Sequence, residues 1–128
     1  MGMCLFQAAA GAQAPTSVLG GVYTADQAKR GQAVYSENCA ACHGDDLNGS
    51  EAFPALTGNG FVGGWGNLGE VFEKISMTMP ATAPGSLTPV QNTEVLAFIL
   101  SKNRFPAGAA ELAPKAESLK SIKIEPAK

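Results

Sequence analysis

The segment CAACH, at residues 39–43, places two thiols and an imidazole within five consecutive positions. Cys39 and Cys42 lie three positions apart, and His43 follows directly. A structural zinc site, a redox-active dithiol and the covalent attachment of haem all use cysteines at this spacing. Each kind of site requires different residues elsewhere in the chain, so the rest of the sequence distinguishes them.

The rest of the sequence favours haem attachment. A structural zinc ion needs four ligands, yet His43 is the chain's one histidine, and the adjacent Cys42 and His43 make awkward partners on one ion. A thioredoxin-like dithiol belongs to a strand–helix setting, whereas an irregular segment follows this motif. Haem attachment needs two thiols at the spacing of the porphyrin vinyl groups and then an imidazole under the iron. We therefore predict that Cys39 and Cys42 bind one haem c, with His43 as the proximal iron ligand.

Size and charge argue against two other classes of function. The 128 residues are the size of one domain, and the hydrophobic fraction of 45% suits a globular chain. A net charge of −2 without a basic stripe argues against nucleic-acid binding. No run approaches the roughly 20 apolar residues of a membrane-spanning helix, so we expect no transmembrane segment.

The first fourteen residues carry no charge and end in Ala12-Gln13-Ala14, which is similar to a secretory cleavage site. We interpret residues 1–14 as the remnant of a signal peptide and residues 15–22 as an N-terminal extension, and we expect a periplasmic protein. Two alternatives stay open, a disordered N-terminus and a lipoprotein anchor at Cys4. The second lacks the usual apolar and small residues before the cysteine.

Three segments combine a capping residue with apolar residues at helical spacing. The predicted helices begin after Thr24, Asn67 and Thr88, and the second ends before Pro80. Residues 44–69 are rich in glycine, asparagine and proline, and a loop of this length is uncommon unless it wraps something. No strand pattern is visible, so the sequence predicts an all-α fold with long loops.

Two positions in the first predicted helix lead to specific expectations. Gln27, three residues after Thr24, completes a capping box in which each side chain satisfies the other's backbone. Gly31 costs about 1 kcal/mol relative to alanine in a helix, so we expect another element to cross closely there. At the other end, apolar residues of the tail, residues 109–128, are expected to tether it loosely while its lysines stay solvated.

The sixth iron ligand has to be a residue other than histidine. Methionine is the usual alternative, and a thioether opposite an imidazole raises the reduction potential. Met77 and Met79 are the candidates beyond residue 14. Met77 falls in the last turn of the second predicted helix, whereas Met79 lies beyond its end before Pro80. We predict that Met79 is the axial ligand and that Met77 is an ordinary packing residue.

The segments NCAACHG, FPAL, MPATAPGSL and EVLAFILSKNRFPAG resemble those of class I cytochrome c, in the order of that family. They are most similar to bacterial monohaem domains that occur alone or fused to periplasmic alcohol dehydrogenases. The resemblance runs from about Tyr23 to Gly108 and implies a domain at residues 23–108. It also implies three main helices around one covalently bound haem.

The resemblance assigns roles to several further residues. It implies that the first and last helices cross at Gly31 and Tyr35 on one side and at Val95 and Phe98 on the other. Pro54 matches the proline whose carbonyl accepts a hydrogen bond from the ligand imidazole. Trp65 matches an aromatic residue beside a haem propionate, although plain core packing is an alternative.

Together these features predict a periplasmic electron carrier rather than an enzyme, since both axial positions would be filled. The expected partners are a periplasmic dehydrogenase and a terminal oxidase or another cytochrome. The alternative is an electron-transfer subunit, or a detached domain, of a quinoprotein alcohol dehydrogenase. An enzyme or gas sensor would need an open sixth position, and would lack the weak far-red band that methionine–iron(III) ligation gives in this family.

The attachment prediction can be tested on the denatured protein. If Cys39 and Cys42 are thioether donors, the haem resists acid–acetone extraction and migrates with the unfolded chain. Haem recovered in the organic phase would contradict covalent attachment.

Overall fold

The computed structural model describes residues 15–126, so the predicted signal remnant lies outside the described residues. Apart from isolated bridge pairs, the described residues form no strand. None of the helices in this range is long and apolar enough to cross a membrane. A short 3-10 helix spans Val18–Gly20, and the α-helices are α1 Ala25–Asn38, α2 Ala40–His43, α3 Asn59–Val62, α4 Leu68–Thr78, α5 Pro89–Lys102 and α6 Ala116–Leu119.

Helices α1 and α5 cross in close contact at Gly31. Gly31 is buried, and a Cβ atom at this position would clash with the backbone carbonyl of Glu94. Beside this contact the rings of Tyr35 and Phe98 pack with their centroids 5.3 Å apart. The glycine therefore removes the side chain that would hold the two helices apart, as the sequence predicts.

The ends of α4 and α5 follow the predicted caps. The Asn67 side chain accepts a hydrogen bond from the Glu70 amide at 3.0 Å and so begins α4. Helix α5 begins with a complete capping box, in which Thr88 and Gln91 each bind the other's backbone amide. Helix α4 ends one residue before Met79, which leaves Met79 outside the helix as predicted.

The capping box predicted at the start of α1 is only half formed. Thr24 accepts a hydrogen bond from the Gln27 amide at 3.0 Å, but the Gln27 carboxamide binds the backbone of Leu112 instead of that of Thr24. Gln27 is buried, and this pairing satisfies both its oxygen and its nitrogen. A distant partner thus replaces the local one that the sequence predicts.

The tail packs more firmly than the loose tether predicted from the sequence. Leu112, Leu119 and Ile124 are buried in the core. The Leu68 amide donates to the Ile122 carbonyl at 2.9 Å, and the amide of Ile124 donates to the Gly66 carbonyl at 3.1 Å. These bonds hold the tail against the start of α4. The domain limits at residues 23 and 108 stay a prediction.

The close helix crossing predicts a large effect for Gly31→Ala. The added methyl group has to push the Glu94 carbonyl away, and overpacking of this kind costs about 1–3 kcal/mol of unfolding free energy. Urea unfolding measures this loss. Gly60→Ala is the matched control, because its Cβ would meet nothing within 4 Å, and we expect a change within about 0.5 kcal/mol. Equal unfolding midpoints for both variants would contradict the crossing.

Candidate haem attachment site

The CAACH segment forms a single helical turn directly after α1. Helix α1 ends at Asn38, and α2 carries Cys42 and His43 on its one turn. The amides of Cys42 and His43 both donate to the Cys39 carbonyl, at 3.2 and 2.9 Å. Both cysteines are free thiols and half-buried. This turn brings the three predicted residues together, since side chains three positions apart on a helix share one face.

The imidazole of His43 is oriented by a backbone carbonyl. Its Nδ1 lies 2.8 Å from the Pro54 carbonyl oxygen, and the ring is buried. A carbonyl can only accept, so Nδ1 carries the proton of this hydrogen bond, and Nε2 is the nitrogen left to bind a metal. Within residues 15–126 the Nε2 atom makes no hydrogen bond. The predicted contact between His43 and Pro54 is confirmed, and it prepares Nε2 to bind a metal.

Backbone hydrogen bonds hold the loop that presents Pro54. The Gly49 amide donates to the His43 carbonyl at 2.7 Å, and the Leu56 amide donates to the Leu47 carbonyl at 2.8 Å. Gly49 has φ +70°, and a Cβ atom there would meet the Phe53 carbonyl, so only glycine fits. Leu47 is fully buried beneath this loop. The loop is therefore a fixed support for the His43 ring.

Tyr35 joins this loop to α1. Its hydroxyl donates to the Gly44 carbonyl, the residue after His43, at 2.7 Å. Burial raises the pKa of the Tyr35 hydroxyl to about 12, with smaller contributions from the charges of Cys39, Asp46 and Asp45. The hydroxyl is thus a permanent donor at neutral pH. The same side chain that packs on Phe98 of α5 also positions the haem-binding turn.

The environment of Cys39 disfavours a redox-active dithiol. Burial, and then the neighbouring Cys42, raise the pKa of the Cys39 thiol to about 11. The nucleophile in thiol–disulfide exchange is the thiolate, and catalytic dithiols lower the pKa of one cysteine. Cys39 has the opposite shift, so its environment does not activate it for thiol–disulfide exchange.

The structure distinguishes the two candidate methionines. Met77 is 73% exposed on the last turn of α4, so it is a surface residue rather than core packing. Met79 is half-buried against the apolar core, and its amide donates to the Ile75 carbonyl at 3.0 Å. Among the described contacts none joins Met79 to His43, so its role as the sixth ligand stays a prediction.

The residues around the motif fit a haem. The donor set is an oriented imidazole and two free thiols on one turn. In the described part of the chain no three His, Cys, Asp or Glu side chains lie close enough to hold a metal ion. Several partly buried apolar side chains that pack against the core belong to the motif or to the segments after it: Cys39, Ala40, Leu56, Phe61, Trp65, Met79 and Leu87. Such surface suits a bulky apolar cofactor.

Trp65 lies with its ring centroid 6.4 Å from that of Phe61, and its predicted propionate contact stays a prediction.

Asn92 is a buried polar residue that the sequence reasoning missed. It is 2% exposed in α5, and its side-chain Nδ2 donates a hydrogen bond to the Ser76 hydroxyl of α4 at 3.0 Å. Its Oδ1 has no hydrogen-bond partner among residues 15–126, and such a buried acceptor costs about 1–3 kcal/mol. The missed signal was a polar residue at helical spacing from the apolar Val95 and Ile99. The α4–α5 contact, one turn before Met79, is thus partly polar.

The contact between Tyr35 and Gly44 predicts a local effect for Tyr35→Phe. Loss of the hydrogen bond lowers the unfolding free energy by about 0.5–1.5 kcal/mol and speeds amide hydrogen exchange at Gly49. The pKa of Tyr35 is higher in the folded than in the unfolded chain. This contribution is therefore full below pH 10.0, the ordinary pKa, and is lost as the pH rises toward about 12.

Tyr23→Phe is the control for this experiment, because the Tyr23 hydroxyl donates to the Phe105 carbonyl, away from the motif. It should lower stability without selectively speeding exchange at Gly49. Equal exchange at Gly49 in both variants would show that Tyr35 does not position the loop.

Comparison with known proteins identifies partial relatives. The chain is 35% identical over 80 residues to the Cbb3-type cytochrome c oxidase subunit CcoP of Rubrivivax gelatinosus, covering 59% of this chain and 26% of the relative. It is 48% identical over 44 residues to CcoP of Azospirillum brasilense, covering 29% and 15%. The thiosulfate dehydrogenase of Stutzerimonas stutzeri (strain A1501) is 36% identical over 86 residues, covering 59% and 27%. The chain thus spans about a quarter, or less, of each of these relatives.

The fold has a counterpart among solved structures. The crystal structure of the sulfane dehydrogenase SoxCD from Paracoccus pantotrophus matches with a TM-score of 0.61 and 21% identity, covering 97% of this chain and 67% of that chain. At this identity the match speaks for the fold alone. Together with the helical architecture of residues 15–126, which form no strand, it confirms the all-α cytochrome c fold.

The family profile described as "Cytochrome C oxidase, cbb3-type, subunit III" matches residues 26–99. This range covers more than half of the chain and contains the CAACH turn, Pro54 and Met79. The likeness to alcohol-dehydrogenase cytochromes stays a prediction. The chain therefore belongs to this family of cytochrome c domains, and its cofactor is a covalently bound haem c with its iron.

Proposed function

We propose that this protein is a periplasmic one-electron carrier that transfers electrons between a dehydrogenase and a downstream acceptor, either an oxidase or another cytochrome. The observation that carries this proposal is the His43 imidazole, whose Nδ1 proton is committed to the Pro54 carbonyl at 2.8 Å. The remaining nitrogen, held on the same turn as Cys39 and Cys42, would be a lasting iron ligand. Such a site keeps its cofactor through many cycles of oxidation and reduction.

The chain's own residues determine what the haem can do. When bound, the haem supplies an iron centre that gains and loses one electron. Cys39 and Cys42 would hold it covalently, and the His43 imidazole would bind its iron in one axial position. If Met79 fills the other, substrates and oxygen find no open position on the iron. This arrangement favours electron transfer over catalysis.

The rigidity of the His43 loop supports the same function. A hydrogen bond from the distal ring nitrogen fixes the orientation of a metal-bound imidazole and makes it a better donor. Tyr35 and Gly49 hold the backbone on either side of this ring, at 2.7 Å from the Gly44 and His43 carbonyls respectively. If the His43 imidazole binds the iron, its fixed orientation keeps the structural rearrangement small when the iron gains or loses an electron.

The positions of the two methionines favour Met79 as the second axial ligand. Met79 lies just outside α4, half-buried against the apolar core. Met77 is 73% exposed and belongs to the helix itself. A thioether in an apolar environment opposite the imidazole raises the reduction potential. The carrier would then work at the high-potential end of the range for haem proteins.

The names of the relatives support redox partners on both sides. One relative is named as a subunit of an oxidase, and another as a thiosulfate dehydrogenase. The periplasmic location rests on residues 1–14 of the sequence and on covalent haem attachment.

A second candidate function is that of a haem-bearing subunit or domain of a larger redox enzyme. It is favoured by the partial coverage, since this chain matches only 15–27% of the curated relatives. A quinoprotein alcohol dehydrogenase is one such enzyme, as the sequence resemblance implies. Purification from native periplasm distinguishes the two functions. A stable complex with a quinoprotein would favour the subunit, and a free monomer would favour the carrier.

The assignment of the sixth ligand predicts different results for Met79→Ala and Met77→Ala. Met79→Ala abolishes the far-red absorption band, opens the iron to carbon monoxide and lowers the reduction potential, because water replaces the thioether. Met77→Ala leaves the spectrum and the carbon monoxide reactivity as in the parent. Since Met77 is largely exposed, its loss changes the unfolding free energy by no more than about 0.5 kcal/mol.

Absorption spectra and redox titrations of both variants check these results. A spectrum controlled by Met77 would mean that α4 ends earlier than Thr78 in the haem-loaded protein. Unchanged spectra in both variants would show that neither methionine is an iron ligand, and would count against the proposed carrier function.

A further inference from the structure

The first part of the tail is fixed to α1, the helix that leads into the turn carrying His43. The Gln27 carboxamide binds both backbone polar groups of Leu112, with distances of 3.1 and 2.9 Å. Both residues are buried. Beside them the Arg30 guanidinium contacts the Glu111 carboxylate at 2.7 Å. This part of the tail therefore follows any movement of α1.

The later part of the tail is fixed to α4, the helix that ends directly before Met79. Helix α6 of the tail packs against α4, and its Leu119 is 1% exposed. The contact is close, because a Cβ atom on Gly69 would meet the Lys120 backbone nitrogen at 3.0 Å. The tail thus connects the two helices that precede the two proposed axial ligands.

Helix α4 has few other sources of support. Within residues 15–126, the helices that pack most closely on α4 are α5 and α6. The contact with α5 includes the buried Asn92, whose Oδ1 atom has no hydrogen-bond partner among the described residues. An unpaired acceptor weakens the contact in which it is buried. The position of α4, and with it that of Met79, therefore depends strongly on the tail.

We propose that residues 111–124, which we call the clasp, keep Met79 on the haem iron by fixing α4 relative to α1. This inference rests on the proposed function, because it assumes that His43 and Met79 are the two axial ligands. Two ligands on opposite sides of one iron have to keep a fixed separation, and among the described contacts none joins these two residues directly. Leu112 and Leu119 then act as positioning residues. The family profile matches residues 26–99, so this role is additional to what family membership implies.

A clasp of this kind controls how often the sixth position on the iron is open. Added imidazole binds there only while Met79 is off the iron. Its apparent Kd therefore equals the intrinsic Kd divided by the fraction of protein in the open state. A looser clasp raises that fraction and tightens imidazole binding in proportion. Imidazole is thus a probe of the position of Met79 that does not depend on any redox partner.

Titration of the oxidised, haem-loaded protein with imidazole, followed by the loss of the far-red band, tests the clasp. Leu119→Ala removes the buried side chain of α6 and should tighten imidazole binding about tenfold, because α4 loosens. The reduction potential should fall at the same time. Leu119→Met keeps the volume of the side chain and should restore the affinity and the potential of the parent.

Leu112→Ala tests the α1 end of the clasp and should also tighten imidazole binding. It keeps the inference testable if Leu119→Ala does not fold. Leu100→Ala is the matched control, because Leu100 is also 1% exposed but lies in α5, two turns beyond Asn92. It should lower the urea midpoint as the tail variants do, while its imidazole affinity and potential stay those of the parent.

The outcomes separate this inference from the proposed function. Equal tightening in Leu119→Ala and Leu100→Ala would overturn the clasp, since a loss of stability anywhere would then release Met79. An affinity like that of the parent in either tail variant would overturn it as well, because that end of the tail would not hold the ligand. In each of these cases the far-red band of the parent leaves the proposed function standing. A parent without this band would contradict methionine ligation itself, and the clasp would fail with it.

Discussion

The hydrogen bond between the His43 imidazole and the Pro54 carbonyl is the interaction on which the rest of the site depends. It fixes the tautomer, the orientation and the basicity of the ring that we propose as the iron ligand. A histidine without this bond would rotate, and its free nitrogen would point to the cofactor only part of the time. The loop between residues 44 and 56 presents the Pro54 carbonyl to this ring. It has no regular secondary structure, yet backbone hydrogen bonds hold it in place.

This bond is connected to the core of the fold through Tyr35. Its ring packs on Phe98, beside the place where α1 and α5 cross at Gly31, and its hydroxyl holds the Gly44 carbonyl at 2.7 Å. The helix crossing therefore sets the position of α1, and α1 leads directly into the cysteine turn. Burial keeps the Tyr35 hydroxyl protonated, so the connection is independent of pH over the neutral range. Tyr35 therefore contributes both to the stability of the fold and to the position of the turn that carries Cys42 and His43.

Features with a local signature were predictable from the sequence, such as the caps and the close helix crossing at Gly31, whereas long-range pairings without such a signature were not. The helix starts at Asn67 and Thr88 depend on residues within one turn, so they could be read from the chain. The Pro54 contact came from the family resemblance. The pairing of Gln27 with Leu112 involves residues far apart in sequence, and it displaced a local bond of similar quality. The firm packing of the tail and the burial of Asn92 were missed for the same reason, since neither has a local signature.

The most direct test of this account is nitrogen-15 NMR of His43 in the reduced, haem-loaded protein, in which iron(II) with six strong ligands is diamagnetic. The account predicts a proton on Nδ1 that exchanges slowly with water, because the Pro54 carbonyl accepts it in a buried site. It also predicts that Nε2 carries no proton and shows the shift of a metal-bound nitrogen. A proton on Nε2, or an Nδ1 proton that exchanges as fast as that of a free imidazole, would contradict it.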